Sequence, residues 1–242
     1  MTRLLNGIVA FGSVLLLAVT LIGAGFAVVV IPDAATATLS RAFSGCDQPN
    51  TPFTADELAS MAIAGKHYTF DDNDREKLDA AIAEANAAAE ADGRATASTR
   101  ESAARNLPAD AISHLDDVYR VASVAKPALV IVAMLCIAGL AHVAVRISRR
   151  ALGRTLMAGG GLVLAAFCAL GAWAAIDFDG LFAAFHSLFF QAGTWTFPYD
   201  SLLITLYPTA FWMGMGGIWL AVTCIASIIC IIVGRLLCSE TE

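Results

Sequence analysis

The sequence predicts an all-α membrane protein. Four transmembrane helices are expected, with a mostly helical extracytoplasmic domain between spans one and two and a short amphipathic or re-entrant helix between spans three and four. Composition gives the class: 58% of the 242 residues are hydrophobic and 15% charged, against about 45–50% and about 25% in a soluble domain. Distribution gives the number. The apolar residues gather in blocks at 8–31, 127–145, 155–176 and within 201–234, none of which holds an Asp, Glu, Lys or Arg. A crossing takes roughly 17–25 such residues, and hydrocarbon offers the backbone no water, so each block must be helical.

The first block follows "MTRLLNG" and is 24 residues long. That exceeds the about 7–15 residues of a signal-peptide core, so it reads as an uncleaved anchor despite "ATA" at 35–37. "FSGC" at 43–46 lies too far beyond the apolar run, past Asp33 and Arg41, to read as a lipid-attachment site. The fourth span is expected over 211–234, with 201–210 as an approach at the interface.

Basic residues set the orientation. Arg3, Arg146, Arg149, Arg150, Arg154 and Arg235 all flank one side of the four spans, whereas 177–200 has no Lys or Arg and carries Asp177, Asp179 and Asp200. The positive-inside rule places both termini and the 146–154 link in the cytoplasm, and 32–126 and 177–210 outside. The large outer segment holds sixteen acidic and nine basic residues, a net of −7. That charge excludes nucleic acid and an anionic lipid surface as its partners. Its one cysteine, Cys46, rules out an internal disulfide framework; the others lie in spans or at the cytoplasmic end.

Within that outer segment, "TADELASMAIAG" (54–65) reads as a helix with Thr54 and Glu57 at capping-box spacing. "DREKLDAAIAEANAAAEAD" (74–92) reads as a solvated Ala-rich helix ended by Gly93, and "GRATASTRESAARN" after it as a flexible connector. Pro108 starts the next helix, whose apolar stripe is Ile112, Leu115, Tyr119 and Ala122. This helix either runs on into the second span or bends at Pro127. In the second outer segment, "FDGLFAAFHSLFFQ" (178–191) is apolar at helical spacing but too short to span, so it lies in the interface. Trp195, Tyr207 and Trp212 fit an aromatic belt at the same depth.

His142, inside span two, reads as a packing residue, and His67 as part of the outer structure. His114 and His186 differ. Both fall outside, near a membrane boundary; Asp117 follows His114 by three residues, and His186 sits among phenylalanines. An unpaired imidazole is costly in apolar surroundings. A shared catalytic or metal role and a packing role both remain open at this point. Asp117 and Asp200 could extend a ligand set, but no HxH, HExxH or Cys pair supports a metal. No serine-nucleophile motif and no phosphate loop is present.

"HLDDV" (114–118) and the string from "FHSLFF" (185–190) through Trp195, Phe197 and "DSLLITLYPTAFW" (200–212) resemble the paired signatures of the lipoprotein intramolecular transacylases, the Lit family of bacterial integral membrane proteins. The four spans, the large first outer loop and a weak "FTADEL" match agree; the Ala-rich 74–106 segment falls outside the resemblance. The resemblance implies an acyltransferase of the cell membrane. It would move the sn-2 acyl chain of a diacylated lipoprotein to the α-amine of that lipoprotein's own cysteine, leaving a lyso-form lipoprotein. It implies His114 and His186 as the catalytic pair, with membrane lipid around the site, no metal, no cofactor and no nucleotide. Asp117, Trp195, Asp200 and Tyr207 match family positions, and Phe185 and Phe189 are candidates to line an acyl site; each is a substrate-binding or orienting candidate. A non-enzymatic assembly or partner-binding protein and a metal-dependent membrane hydrolase are the competing readings. One geometric condition attaches. In a straight helix His114 stands roughly 18 Å beyond Lys126, so the helix must tilt, or the second span begin near Val121, for the two imidazoles to meet.

Overall fold

The computed structural model describes residues 2–48, 50–95 and 104–239, and among these it is all-helical. In chain order the helices are α1 (Thr2–Val30), α2 (Asp33–Phe43), α3 (Ala55–Phe70), α4 (Arg75–Ala91), α5 (Ala109–His142), α6 (Arg149–Ile176), α7 (Phe178–Phe189), α8 (Leu202–Leu206) and α9 (Thr209–Ser239); a π-helical turn, Val143–Ile147, follows α5. Four of them, α1, α5 with its π turn, α6 and α9, are long and apolar enough to cross a membrane. Each outruns the apolar block that marks it. Hydropathy locates the stretch that prefers hydrocarbon, whereas backbone hydrogen bonding carries the helix on through interfacial residues. At α5 the excess is largest. Its 34 residues pass through Pro127 as one helix, so the helix begun after Pro108 runs on into the second span.

The chain divides into two compact units, Met1–Val29 with Ala125–Leu181 and Gly217–Glu242, and Val30–Val124 with Phe182–Gly216. In the first unit, Leu17, Leu21, Cys136, Val163 and Phe167 form the core, with Trp219 against it. Small residues set the helix spacing. A Cβ on Gly160 would meet the Ser227 carbonyl oxygen at 2.6 Å, and one on Gly153 the Gly234 carbonyl oxygen at 2.5 Å. Lipid gives apolar helices no reason to hide from solvent, so close backbone approach carries the association. Outward-facing Val130, Ile131, Leu135, Ile137, Ile228 and Ile232 are exposed, as residues solvated by hydrocarbon are.

The second unit has its own core of Leu58, Met61, Leu78, Ile82, Leu107, Ile112, Leu115, Leu202 and Leu206. The capping box forms: Thr54 Oγ1 accepts from the Glu57 amide at 3.3 Å, and Glu57 Oε2 accepts from the Thr54 amide at 2.7 Å. Glu57 also receives both guanidinium arms of Arg94, at 2.9 and 2.7 Å, so one carboxylate ties the start of α3 to the end of α4. Thr54→Ala is expected to cost about 1 kcal/mol of stability, the usual cost of a lost N-cap, seen as a lower Tm in detergent. Helix α3 continues past the expected 65 to Phe70 because Lys66, Tyr68 and Thr69 are buried. The Lys66 ammonium pairs with Asp33 and donates to the Ile31 carbonyl at 3.1 Å. Without that pairing, a buried ammonium would be expensive.

The expectation of a wholly solvated 74–92 helix is corrected. Arg75 and Asp79 do pair at the surface, but Leu78, Ile82, Ala85 and Ala89 form a buried face. Arg105, 5% exposed at its side chain, reaches Glu90 at 3.0 Å and Asn86 at 2.6 Å. The flexible connector expected at 93–106 lies outside the described residues over 96–103.

Candidate active site

Three segments of the second unit build the site. Helix α5 carries His114 on the face whose neighbours Ala111, Ile112 and Leu115 enter the core. Helix α7 carries His186. The loop from 190 to 201 returns over them, turning at Gly193, whose φ of +86° lies in the region that glycine tolerates. Ser201 then caps α8, whose Leu202, Leu203 and Leu206 enter the same core and fix the loop's far end.

The structure brings His114 and His186 together, their ring centroids 6.1 Å apart and 29° from parallel. Phe190 touches both, at 5.0 Å from His114 and 5.7 Å from His186. Phe197 flanks His114 at 5.5 Å, whereas Phe182 at 4.0 Å and Trp195 at 4.9 Å flank His186. Two imidazoles thus stand in an aromatic cage. His114 is 8% exposed and His186 half-buried.

The two rings are wired differently. His186 Nδ1 lies 2.9 Å from the Phe182 carbonyl oxygen. A carbonyl only accepts, so Nδ1 carries the hydrogen and Nε2 of the neutral ring keeps its lone pair. His114 Nδ1 is buried and has no partner among the described residues. Burial pulls the His114 pKa down to about 4, helped by the charge His186 would carry and opposed by Asp117. Burial also lowers His186, against the pull of the Phe182 carbonyl. Both imidazoles are therefore neutral near pH 7.

The other sequence candidates divide. Phe185 packs on His186 at 5.7 Å and on Phe189 at 5.2 Å, and both phenylalanines keep about half of their surface open. Tyr207 is partly buried and donates to the Ala62 carbonyl at 2.7 Å, bracing the chain before α9 against α3. Asp200 is an exposed turn residue. Asp117 does not hydrogen-bond His114; it pairs with Arg120 at 2.7 Å and acts on the ring only as a nearby charge. Beside Phe190 a groove of about 440 Å³ opens between Asp117, Arg120, Phe189, Gln191 and Thr194.

Phe197 belongs to the signature string, but nothing in its local sequence marks it as a cage residue. Asp116 was also passed over, though it accepts from the Tyr68 hydroxyl at 2.5 Å and so locks α5 to α3. His67 bridges Asp71 and Asp33, and His142 approaches Asn6 at 3.4 Å in the first unit; neither enters the cage. Among the described residues no group of three His, Cys, Asp or Glu could hold a metal ion.

Comparison with known proteins agrees with this architecture. Residues 93–212, which carry both histidines, match the family model described as lipoprotein intramolecular transacylase Lit. The solved structure of the membrane-integral Lit of Bacillus cereus is similar at a TM-score of 0.74 and 16% identity, over 98% of this chain and 97% of that one. A histidine-to-alanine variant of that protein gives 0.69 and 16%, over 99% and 96%. No curated protein sequence matches. Over residues 93–212, the segment that bears both histidines, this chain matches the lipoprotein intramolecular transacylase (Lit) family, and its all-helical fold is shared from end to end with the Bacillus cereus structure.

Proposed function

We propose that the chain moves the sn-2 acyl chain of a diacylglyceryl-cysteine lipoprotein onto the α-amine of the same cysteine, and that His114 and His186 perform the proton transfers. The observation that carries this is the pair of neutral imidazoles in one aromatic cage, within reach of the half-open phenylalanines of α7. Asymmetry of basic residues supports an extracytoplasmic site with both termini in the cytoplasm.

The chemistry needs a base for the amine and an acid for the glycerol oxygen. His186 suits the first role, because its Nδ1–H is held by Phe182 and Nε2 is free to accept. The amine nitrogen adds to the ester carbonyl and gives its proton to Nε2. When the tetrahedral carbon collapses, the carbon–oxygen bond to glycerol breaks and His114 delivers a proton to the departing oxygen. His114 starts neutral, so its other ring nitrogen takes up the proton held on His186 as it donates, and both rings end neutral. Burial that disfavours imidazolium also makes it a ready donor, so the proton does not linger. Amine and ester belong to one molecule, and positioning supplies much of the rate. No acyl-enzyme is required. Phe185 and Phe189 offer apolar surface to the acyl chains, and the groove at Arg120, Gln191 and Thr194 suits the peptide that follows the cysteine.

Expression in a host that makes only diacylated lipoproteins tests the reading. Mass spectrometry of the N-terminal lipopeptide is expected to show one acyl chain moved from glycerol to amine. Unchanged lipopeptides in cells with the folded protein would refute it.

The depressed pKa values set the pH profile. Protonation of either ring removes function, and a lowered pKa moves that loss to lower pH. The substrate amine alone, with an ordinary pKa of about 8, is expected to give kcat/KM a unit slope below pH 8. Further protons are expected to steepen that slope only below the 6.5 of an ordinary histidine, that of His114 as the pH approaches 4. A kcat/KM series over pH 4–9 reads this directly; a break at 6.5 would show solvated imidazoles.

A further inference from the structure

Trp195 stands in the loop between α7 and α8 with its indole 4.9 Å from the His186 ring and tilted 34° to it. Indole nitrogen can only donate. Trp195 Nε1 is buried, and no acceptor among the described residues reaches it. The contrast with Trp219 is direct, since that indole in the first unit donates to the Ile22 carbonyl at 3.0 Å. Buried polar atoms left without a partner are scarce in folded proteins. Yet two of them, Trp195 Nε1 and His114 Nδ1, fall in this one cage. The indole lies against the His186 ring, which places the orphaned donor beside that imidazole.

An orphaned donor beside a base is what acyl transfer needs. When an amine adds to an ester carbonyl, the carbonyl π electrons move to oxygen and leave a full negative charge there. A preorganised N–H in a water-poor site stabilises that charge more than it stabilises the ground-state carbonyl. We propose that Trp195 is a catalytic residue whose Nε1–H donates a hydrogen bond to the oxyanion formed as the amine nitrogen adds to the sn-2 ester carbonyl next to His186. The nitrogen–carbon bond forms as the amine proton goes to His186. The oxyanion then returns its electron pair to carbon as the bond to glycerol oxygen breaks and that oxygen is protonated. The indole keeps its hydrogen throughout. This inference rests on the transacylase reading.

Two substitutions separate it from a packing role. Trp195→Phe removes the N–H and part of the ring. Incorporation of 3-benzothienylalanine at position 195 replaces only the N–H by sulfur. With a purified synthetic diacylated lipopeptide in detergent, both are expected to lower kcat about 100- to 1,000-fold, as loss of one oxyanion donor does, with KM changed less than about threefold. The Tm is expected to stay level or rise, because a buried N–H without a partner is lost. Full kcat in the benzothienyl protein overturns the proposal, as does a loss confined to KM or accompanied by a lower Tm. An unsubstituted protein that fails to convert the lipopeptide overturns the transacylase reading, and the oxyanion role with it. A normal rate in the unsubstituted and benzothienyl proteins alike overturns only the role of Trp195.

Discussion

His186→Asn is expected to reduce transacylation by about 100- to 10,000-fold, the range that a positioned general base contributes. The substitution is chosen for what it keeps. An asparagine amide places an N–H near where Nδ1 stood and can still donate to the Phe182 carbonyl. It also fits within the ring of Phe182, Phe185, Phe190 and Trp195. What it lacks is a lone pair at the position of Nε2. Conversion of a synthetic diacylated lipopeptide, followed by mass spectrometry, measures the rate. A packing role for His186 predicts an active variant, because the local hydrogen bond survives.

His114→Phe is expected to cost activity in the same range while leaving the fold intact or firmer. Phenylalanine suits a cavity already walled by Phe190 and Phe197, and it removes a buried nitrogen that has no partner. A second effect separates this variant from wild type. The folded-state pKa of His114, about 4, lies below the ordinary 6.5. Stability linked to this group is therefore fully present above pH 6.5 and lost progressively as the pH falls toward 4, because the unfolded chain binds the proton more readily. Phenylalanine binds no proton. The Tm difference between variant and wild type is expected to widen in favour of the variant between pH 6.5 and 4, and thermal melts across that interval read it.

What the sequence disclosed follows from where its physics is local. The four apolar blocks were legible because hydrocarbon permits only helices. Their ends were not, since α5 runs unbroken from Ala109 to His142 and nothing in the hydropathy of 127–145 marks that length. Thr54 and Glu57 announced their capping box because its partners are three residues apart. Lys66 with Asp33, Arg94 with Glu57, and Arg105 with Glu90 were invisible, since each joins segments brought close only by the fold. Asp117 shows how a local reading misleads. Its spacing from His114 suggested an orienting bond, yet Arg120, also three residues away, takes the carboxylate. The histidine pair stood out through its resemblance to a family signature. Spacing could not show that residues 72 positions apart share a cage with Phe197, since that depends on how α5, α7 and the following loop fold together.

The claim that two imidazoles move one acyl chain within one molecule is tested most directly with a synthetic diacylated lipopeptide whose sn-2 chain alone is deuterated. The purified protein, reconstituted in vesicles, is expected to transfer the label from glycerol to the α-amine of the same peptide, without labelled protein, and to stop doing so in both His114→Phe and His186→Asn. Label that stays on glycerol with the wild-type protein, or moves as fast with both variants, would contradict it.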